Sequence, residues 1–346
     1  MMPRTGVFMA LGALLIIVLI LSVALGSVSI PIKDILTILL GGQPERASWV
    51  TIVVQFRLPK ALTAALAGAA LGVGGLQMQT LFRNPLADPY VLGVSSGASL
   101  GVALVVLAAG SVGAKLLAGA GFLSDLGLAA AASLGAGLVL LGVLAVASRV
   151  RSSVTLLILG IMFGYAVGAA VSLLLYFSIP ERIQAYLNWT FGSFGGITWT
   201  QMRIFAPVVM TGLALAGVLA KPLNALLLGE EYAQSMGIAV RKTRILIIFS
   251  TALLAGAVTA FCGPIGFLGI AVPHVCRAAS GTSDHRLLLP ACMIVGGIAA
   301  LLADILTQMP GNQTVLPLNA IMALIGAPVV VWVILRGRRL QLGAGT

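Results

Sequence analysis

Acidic residues are nearly missing from this sequence: nine aspartates and glutamates stand among 346 residues, and charged side chains of both signs make up 8% of the chain. A soluble domain typically carries about 25% charged residues, so a water-facing globular surface is excluded. The only histidines, His274 and His285, lack metal-ligand spacing, and Cys262, Cys276 and Cys292 form no C-x-x-C pair. The cysteines read as small buried apolar residues rather than as ligands or disulfides. No G-x-x-x-x-G-K-[ST] sequence occurs, which excludes a P-loop nucleotide site in this chain. No apolar run alternates with polar residues as a transmembrane β-strand would. An intramembrane enzyme would need a His/Asp/Ser or His/Glu constellation at depth, and none can be assembled.

What the chain has instead is apolar length. Hydrophobic residues make up 60% of it and glycine contributes 42 positions, against 6% aromatics. Small residues let helices approach closely in lipid, where packing rather than burial from water drives association. Apolar runs of about 20 residues, the length that crosses a bilayer, fall near 6–26, 58–80, 89–110, 121–147, 154–178, 199–220, 245–262, 264–280, 287–307 and 317–335. The expectation is an all-α polytopic membrane protein with about ten transmembrane helices. Only Gly263-Pro264 separates the seventh and eighth runs, which predicts a tight hairpin or one broken helix there. The first run follows a basic start, as in a signal peptide, but it exceeds the usual apolar core of about 7–15 residues and is expected to remain as the first helix.

Ten spans place both termini on one side of the membrane. The connections on that side then hold thirteen of the basic residues, including Arg83, Arg149, Arg151, Arg241, Lys242 and Arg244, and the opposite side holds seven. The positive-inside rule makes the thirteen-residue side, and both termini, cytoplasmic. The formal charge of +11 is therefore spread between spans, and no tract suggests a nucleic-acid partner.

Within this topology a few segments could carry function. The turn Arg83-Asn84-Pro85-Leu86 lies on the cytoplasmic side between spans two and three, where proline removes a backbone donor. Glycines at four-residue spacing, Gly93, Gly97 and Gly101 in span three and Gly160, Gly164 and Gly168 in span five, make smooth faces. Such faces serve helix packing or line a pathway. Asp304 is the one acidic residue well inside a span, with Gln308 one turn later on the same face. This pair is either functional or locally satisfied. The cytoplasmic connection "KPLNALLLGEEYAQSMGIAVRKTR" places Leu228 and Gly229 before Glu230 and Glu231, with a short helix ending near Gly237. Acidic residues suit its first turn and glycine suits its end. It reads either as a plug for another protein's groove or as a helix lying on lipid. On the outer side, Arg57 and Lys60 could dock acidic groups of a partner or reach lipid phosphates.

Taken together, "RLPKALTAALAGAALGVGGLQMQTLFRNPLADPYVLGVSSGASLG", "LLLGEEYAQSMGI", "GFLGIAVPHVCR", "DHRLLLP" and "LLADI" resemble the permease subunits of type II ABC importers, the FecCD-like family that moves iron-siderophores, haem and cobalamin. The resemblance runs from about Arg57 to Arg336. It implies a single transmembrane permease domain over 1–346 with a coupling-helix region at about 222–240, in the bacterial inner membrane. It also implies a second permease copy, as a homodimer, two cytoplasmic ATPase subunits and an extracytoplasmic binding protein. ATP and magnesium would be bound by the ATPase, with no cofactor in this chain. Asn84 and Leu86 match the cytoplasmic gate, and Ser153 matches a hydroxyl at a second constriction, where Val154 replaces a serine. Gly160, Gly164 and Gly168 are expected to line the pathway. Gly229, Glu230, Ala233 and Gly237 match the G-E-x-x-A-x-x-x-G coupling element, flanked by Leu228 and Glu231. Arg57 matches a binding-protein contact and Lys60 replaces a second arginine, keeping charge without the bidentate fork. Gln308 stands where a third arginine is expected, and Val315-Leu316-Pro317-Leu318-Asn319 departs from E-L-P-[IV]-G. The resemblance implies cargo such as a ferric siderophore, haem or a corrinoid, with iron compounds commonest in the family. The competing expectation is an ion-coupled secondary transporter using Asp304.

Overall fold

A computed structural model describes residues 4–26, 28, 30–108, 123–147, 149–150, 153–308 and 315–343. Among these the chain is helical, with no strand. In chain order the helices are α1 (Arg4–Ala24), α2 (Ile32–Leu39), α3 (Ala47–Leu81), α4 (Val94–Ala103), α5 (Leu123–Ala147), α6 (Ser153–Tyr176) and α7 (Pro180–Thr190). There follow α8 (Trp199–Val218), α9 (Ala220–Leu227), α10 (Glu230–Ser235), α11 (Val240–Cys262), α12 (Leu268–Ser280), α13 (His285–Thr307) and α14 (Leu318–Gly343). Seven of them, α1, α3, α5, α6, α8, α11 and α13, are long and apolar enough to cross a membrane. With α4, α12 and α14 they occupy the ten expected spans.

The centre is α3, whose apolar stretch is 83% buried. It packs against α13, α11, α12 and α8. Glycine explains how closely. A Cβ on Gly75 would lie 1.8 Å from the Gly269 carbonyl oxygen, and one on Gly68 would lie 2.1 Å from that of Gly296. The backbones touch, which is how apolar helices gain dispersion energy where burial from water is not available.

Three departures from expectation matter. First, α3 begins eleven residues before 58 and passes through a π-helical turn at Ile52–Arg57. Second, span three is helical only from Val94, because residues 82–93 leave α3 through turns and Gly93 adopts φ 78 before the helix starts. Third, of the two forms expected at 263–264 the chain takes a break and not a tight hairpin. Gly263 and Phe267, both at positive φ (75 and 68), set a five-residue break, and α11 and α12 each pack on α3. The short helices α2 and α7 were not expected.

Candidate functional site

Three segments converge at the end of the bundle where α3 stops. The first is the turn after Leu81. Arg83 is held at φ 48, a conformation that costs a side-chain-bearing residue on the order of 1 kcal/mol or more. Asn84 closes the turn, its Oδ1 accepting the Leu86 amide at 3.0 Å and its carbonyl the Ala87 amide at 3.1 Å. Pro85 cannot donate, but its carbonyl accepts from His274 Nε2 at 2.8 Å, which fixes the turn to α12. Leu86 is left 48% exposed. Beyond the turn, Asp88 accepts the Tyr90 amide at 2.8 Å. Burial pushes its carboxyl up to about 6, against the lowering effect of that hydrogen bond.

The second segment is the head of α6. Val154 is exposed there, and the side chain of Ser153 lies outside the described residues. The third is α10 with its flanks. Gly229 sits at φ 115, which a side chain would oppose, and Gly237 closes the helix at φ 81. Ala233 is fully buried beneath the turn. Leu228, Glu231, Tyr232 and Met236 are exposed, so the outward face combines apolar and acidic groups. Leu226 is buried and does not join that face. Glu230 turns inward: both carboxylate oxygens accept from Arg244 Nη2, at 2.7 and 2.9 Å. Arg244 Nη1 also donates to the Val150 carbonyl at 3.0 Å.

These segments share one cavity of about 820 Å³, lined by residues that include Phe82, Arg83, Val154, Leu228, Gly229 and Tyr232. The α3 turn, the α6 head and α10 therefore face one another, while Asn84, Leu86, Ala233 and Gly237 lie outside its lining. A hydrogen-bond network ties α9 to α13 and to the last turn of α3. Asn224 on α9 accepts the His285 amide and Nδ1, each at 2.8 Å, and donates to Asp284 at 2.6 Å. His285 Nε2 reaches Thr80 Oγ1 at 2.8 Å, in the last turn of α3. The hydrogen bonds from the Arg286 amide and from Asn224 hold the Asp284 carboxyl below the usual range.

At the opposite end of the bundle, Arg57 and Lys60 both have partners within the chain. Arg57 is buried, not outward-facing: its guanidinium donates to the carbonyls of Val23 at 2.9 Å, Ala24 at 2.8 Å and Val28. It caps the end of α1, whose last carbonyls have no helical partner. Lys60 pairs with Asp304 at 2.9 Å, and the same carboxylate oxygen accepts from Gln308 at 3.2 Å and Ser22 at 3.5 Å. Asp304 is thus matched by a cation as well as by its helical neighbour. Arg57, Lys60, Asp304 and Gln308 line a cavity of about 700 Å³ with Phe56, Phe191 and Val315.

The glycines of α6 divide. A Cβ on Gly160 would lie 2.6 Å from the Val91 carbonyl, and one on Gly164 would lie 3.5 Å from Ser96 Oγ. Gly160 seats α6 against the backbone at Val91–Leu92, whereas Gly164 is half-exposed with Ser96 beside it. Gly168 faces open space, with nothing near its missing side chain.

With this geometry in hand, comparison places the chain among transporters. The model of the FecCD transport family matches residues 14–336. The vitamin B12 import system permease protein of Klebsiella pneumoniae is 35% identical over 328 residues, covering 95% of this chain and 93% of that protein. Its counterpart from Shigella boydii is 34% identical over 331 residues, covering 96% and 95%. A solved structure described as an inward-facing metal-chelate type ABC transporter superposes with a TM-score of 0.83 at 28% identity, over 96% of this chain and 99% of that one.

Proposed function

The chain belongs to the FecCD transport family, and from that premise we propose that it is the permease subunit of an ATP-driven importer for a corrinoid or another metal chelate. The observation that carries the mechanism is the shared cavity of the α3 turn, the α6 head and α10. Leu86 and Val154 are exposed apolar groups at the ends of elements that α10 faces, as expected of a gate worked from a docked partner. Leu228, Glu231, Tyr232 and Met236 present that partner with a short apolar ridge carrying one acidic group, and a P-loop ATPase is the partner proposed. ATP and magnesium belong to its site. Displacing α10 would move the gate segments and alternate access between the two sides of the bacterial inner membrane, with this end and both termini in the cytoplasm.

A second copy completes the pathway. The apolar helix α6 has only 17% of its spanning stretch buried within the chain, so one copy leaves it largely uncovered. Gly168 offers the close approach there. The cavity around Phe56, Phe191 and Val315 faces the delivering binding protein, with Lys60 available to that partner only if it leaves Asp304. The rival ion-coupled carrier loses its main support, since Lys60 already balances the acid on which it relied. The vitamin B12 permeases named above favour a corrinoid over the iron compounds that family prevalence suggested.

The test is purification of the chain in mild detergent from its native membrane, with mass spectrometry of companions and uptake of radiolabelled cyanocobalamin and a ferric siderophore in proteoliposomes. A stoichiometric P-loop ATPase and ATP-dependent, ionophore-resistant uptake are expected. Uptake by the chain alone under an ion gradient, without ATP, would overturn the proposal.

A further inference from the structure

Asn319 stands in the first turn of α14, beside the last residue of α7 and the break between α11 and α12. Its Nδ2 donates to the Thr190 carbonyl at 2.9 Å and to the Pro264 carbonyl at 2.6 Å, and its Oδ1 accepts the Gly266 amide at 3.1 Å. Both donors and the acceptor of the carboxamide are thus used within the chain. Thr190 ends α7, where carbonyls lack a helical partner, and Pro264 and Gly266 lie outside any helix. The Asn319 amide also donates to the Phe191 carbonyl at 3.1 Å, and the Ser193 amide to that of Cys262 at 2.8 Å. The fit is close: a Cβ on Gly263 would lie 2.5 Å from the Trp189 carbonyl, and one on Gly192 would lie 3.1 Å from that of Pro264. Residues 191–195, which follow Thr190, and 315–318, which precede Asn319, line the outer cavity that holds Lys60 and Asp304. The glycine expected at 319 from E-L-P-[IV]-G could make none of the three side-chain bonds.

We propose that Asn319 is a positioning residue for the outer cavity: one carboxamide joins the end of α7, the α11–α12 break and the start of α14, and so fixes the wall segments 191–195 and 315–318 against each other. The proposal rests on the reading of that cavity as the face presented to a binding protein. A preformed wall lets the partner dock without first ordering it. A wall that holds its competent arrangement for only part of the time lowers the apparent affinity by that fraction. Loss of the carboxamide therefore acts on capture and not on the ATP-driven step at the α10 end. An apolar side chain of similar size would leave two carbonyls and one amide without partners. Aspartate keeps the acceptor for Gly266 but has no donor for the two carbonyls.

The full chain with its co-purifying ATPase is compared with the Asn319→Leu complex by hydrogen–deuterium exchange and mass spectrometry in detergent. Exchange over 189–195 and 263–267 is expected to quicken about fivefold or more in the variant, the factor equivalent to one hydrogen bond, while α3 and α13 exchange as in the parent. Cyanocobalamin uptake in proteoliposomes is then titrated with the loaded binding protein recovered with the complex. The half-saturating concentration is expected to rise about fivefold or more and the maximal rate to stay within about twofold, a split that general loss of stability would not produce. Unchanged exchange in both segments would overturn the joint. A lowered maximal rate at an unchanged half-saturating concentration would overturn its role in capture. If the parent shows no ATP-driven cyanocobalamin uptake, the transport reading fails while exchange still decides the joint. Should Asn319→Leu not assemble, Asn319→Asp tests the two donor arms, with faster exchange over 189–195 expected and an unchanged rate refuting the joint.

Discussion

Replacing Lys60 by methionine should cost far more stability than any loss at an exposed lysine, because it strands a carboxylate inside the bundle. Lys60 Nζ lies 2.9 Å from Asp304 Oδ2, with side-chain exposures of 13% and 7%. At that separation and an effective dielectric constant of about 20, the attraction is about 6 kcal/mol, offset by the desolvation of both ions. Removing one partner of such a pair typically costs about 3–5 kcal/mol, since the remaining charge is neither solvated nor matched. Gln308 and Ser22 still donate to the same oxygen, which places the expectation at the low end of that range. Thermal unfolding in detergent, followed by intrinsic fluorescence, should show a lowered midpoint for Lys60→Met. The double variant Lys60→Met with Asp304→Leu, which removes both charges, should regain most of the loss. A double variant as unstable as the single one would refute the pairing argument. Transport separates a second role: if the stable double variant still fails to take up cargo from its binding protein, Lys60 also contacts that partner, and if it transports normally, pairing is its whole contribution.

Other expectations follow from single contacts. Gly75→Ala should prevent normal assembly of the bundle, since its Cβ would lie 1.8 Å from the Gly269 carbonyl; recovery of monodisperse, heat-stable protein in detergent would contradict the close α3–α12 contact. Tyr232→Ala with Met236→Ala removes two exposed groups from α10 and should weaken ATPase binding about tenfold or more, as loss of an interface anchor does, without changing the unfolding midpoint. Unaltered ATPase affinity by titration would exclude that face. Asp88→Asn keeps an acceptor for the Tyr90 amide and removes a charge held at about 6. Because the folded chain binds this proton more tightly than the unfolded one, the parent should lose stability as pH rises from about 4 to 6, by about 3 kcal/mol at most. The variant should be flatter over that window and more stable than the parent at neutral pH; equal pH profiles would show that Asp88 is solvated.

Ten apolar runs could be read as ten helices because each had to satisfy its own backbone in lipid, a constraint that acts locally. The boundaries that slipped lie where hydropathy says nothing about φ. Residues 89–93 are mostly apolar, yet the positive φ of Gly93 and the turns before it delay α4 to Val94. Gly263 and Phe267 do the same before α12. The short helix α7, "PERIQAYLNWT", is too polar and α2 too brief for a span-length window to find. At the candidate site, glycine positions and the acidic start of α10 were legible from helix-end chemistry. The partners of the charged residues were not. Gln308 was found for Asp304 because one helix turn separates them, whereas Lys60 lies in another helix. Likewise Glu230 looked like a contact for an outside protein, and only the fold brings Arg244 of α11 to it.

The placement of polar contacts separates two tasks within one bundle. Through the middle, α3 meets α13 and α12 by bare backbone at Gly68 and Gly75, a contact with no side chain to rearrange. Such an interface is stiff, because separating it forfeits dispersion along the whole stripe. At the α10 end, a separate apolar cluster that includes Phe82, Leu156, Leu226 and Ala233 is supplemented by discrete side-chain bonds: Glu230 to Arg244, Arg244 to Val150, Asn224 to His285 and His285 to Thr80. Each such bond is individually modest and can lengthen or exchange without unpacking apolar surface. A permease must keep its spans together while its gate segments shift by a small distance. A rigid glycine-packed centre, with a smaller apolar cluster and exchangeable hydrogen bonds at one end, meets both demands.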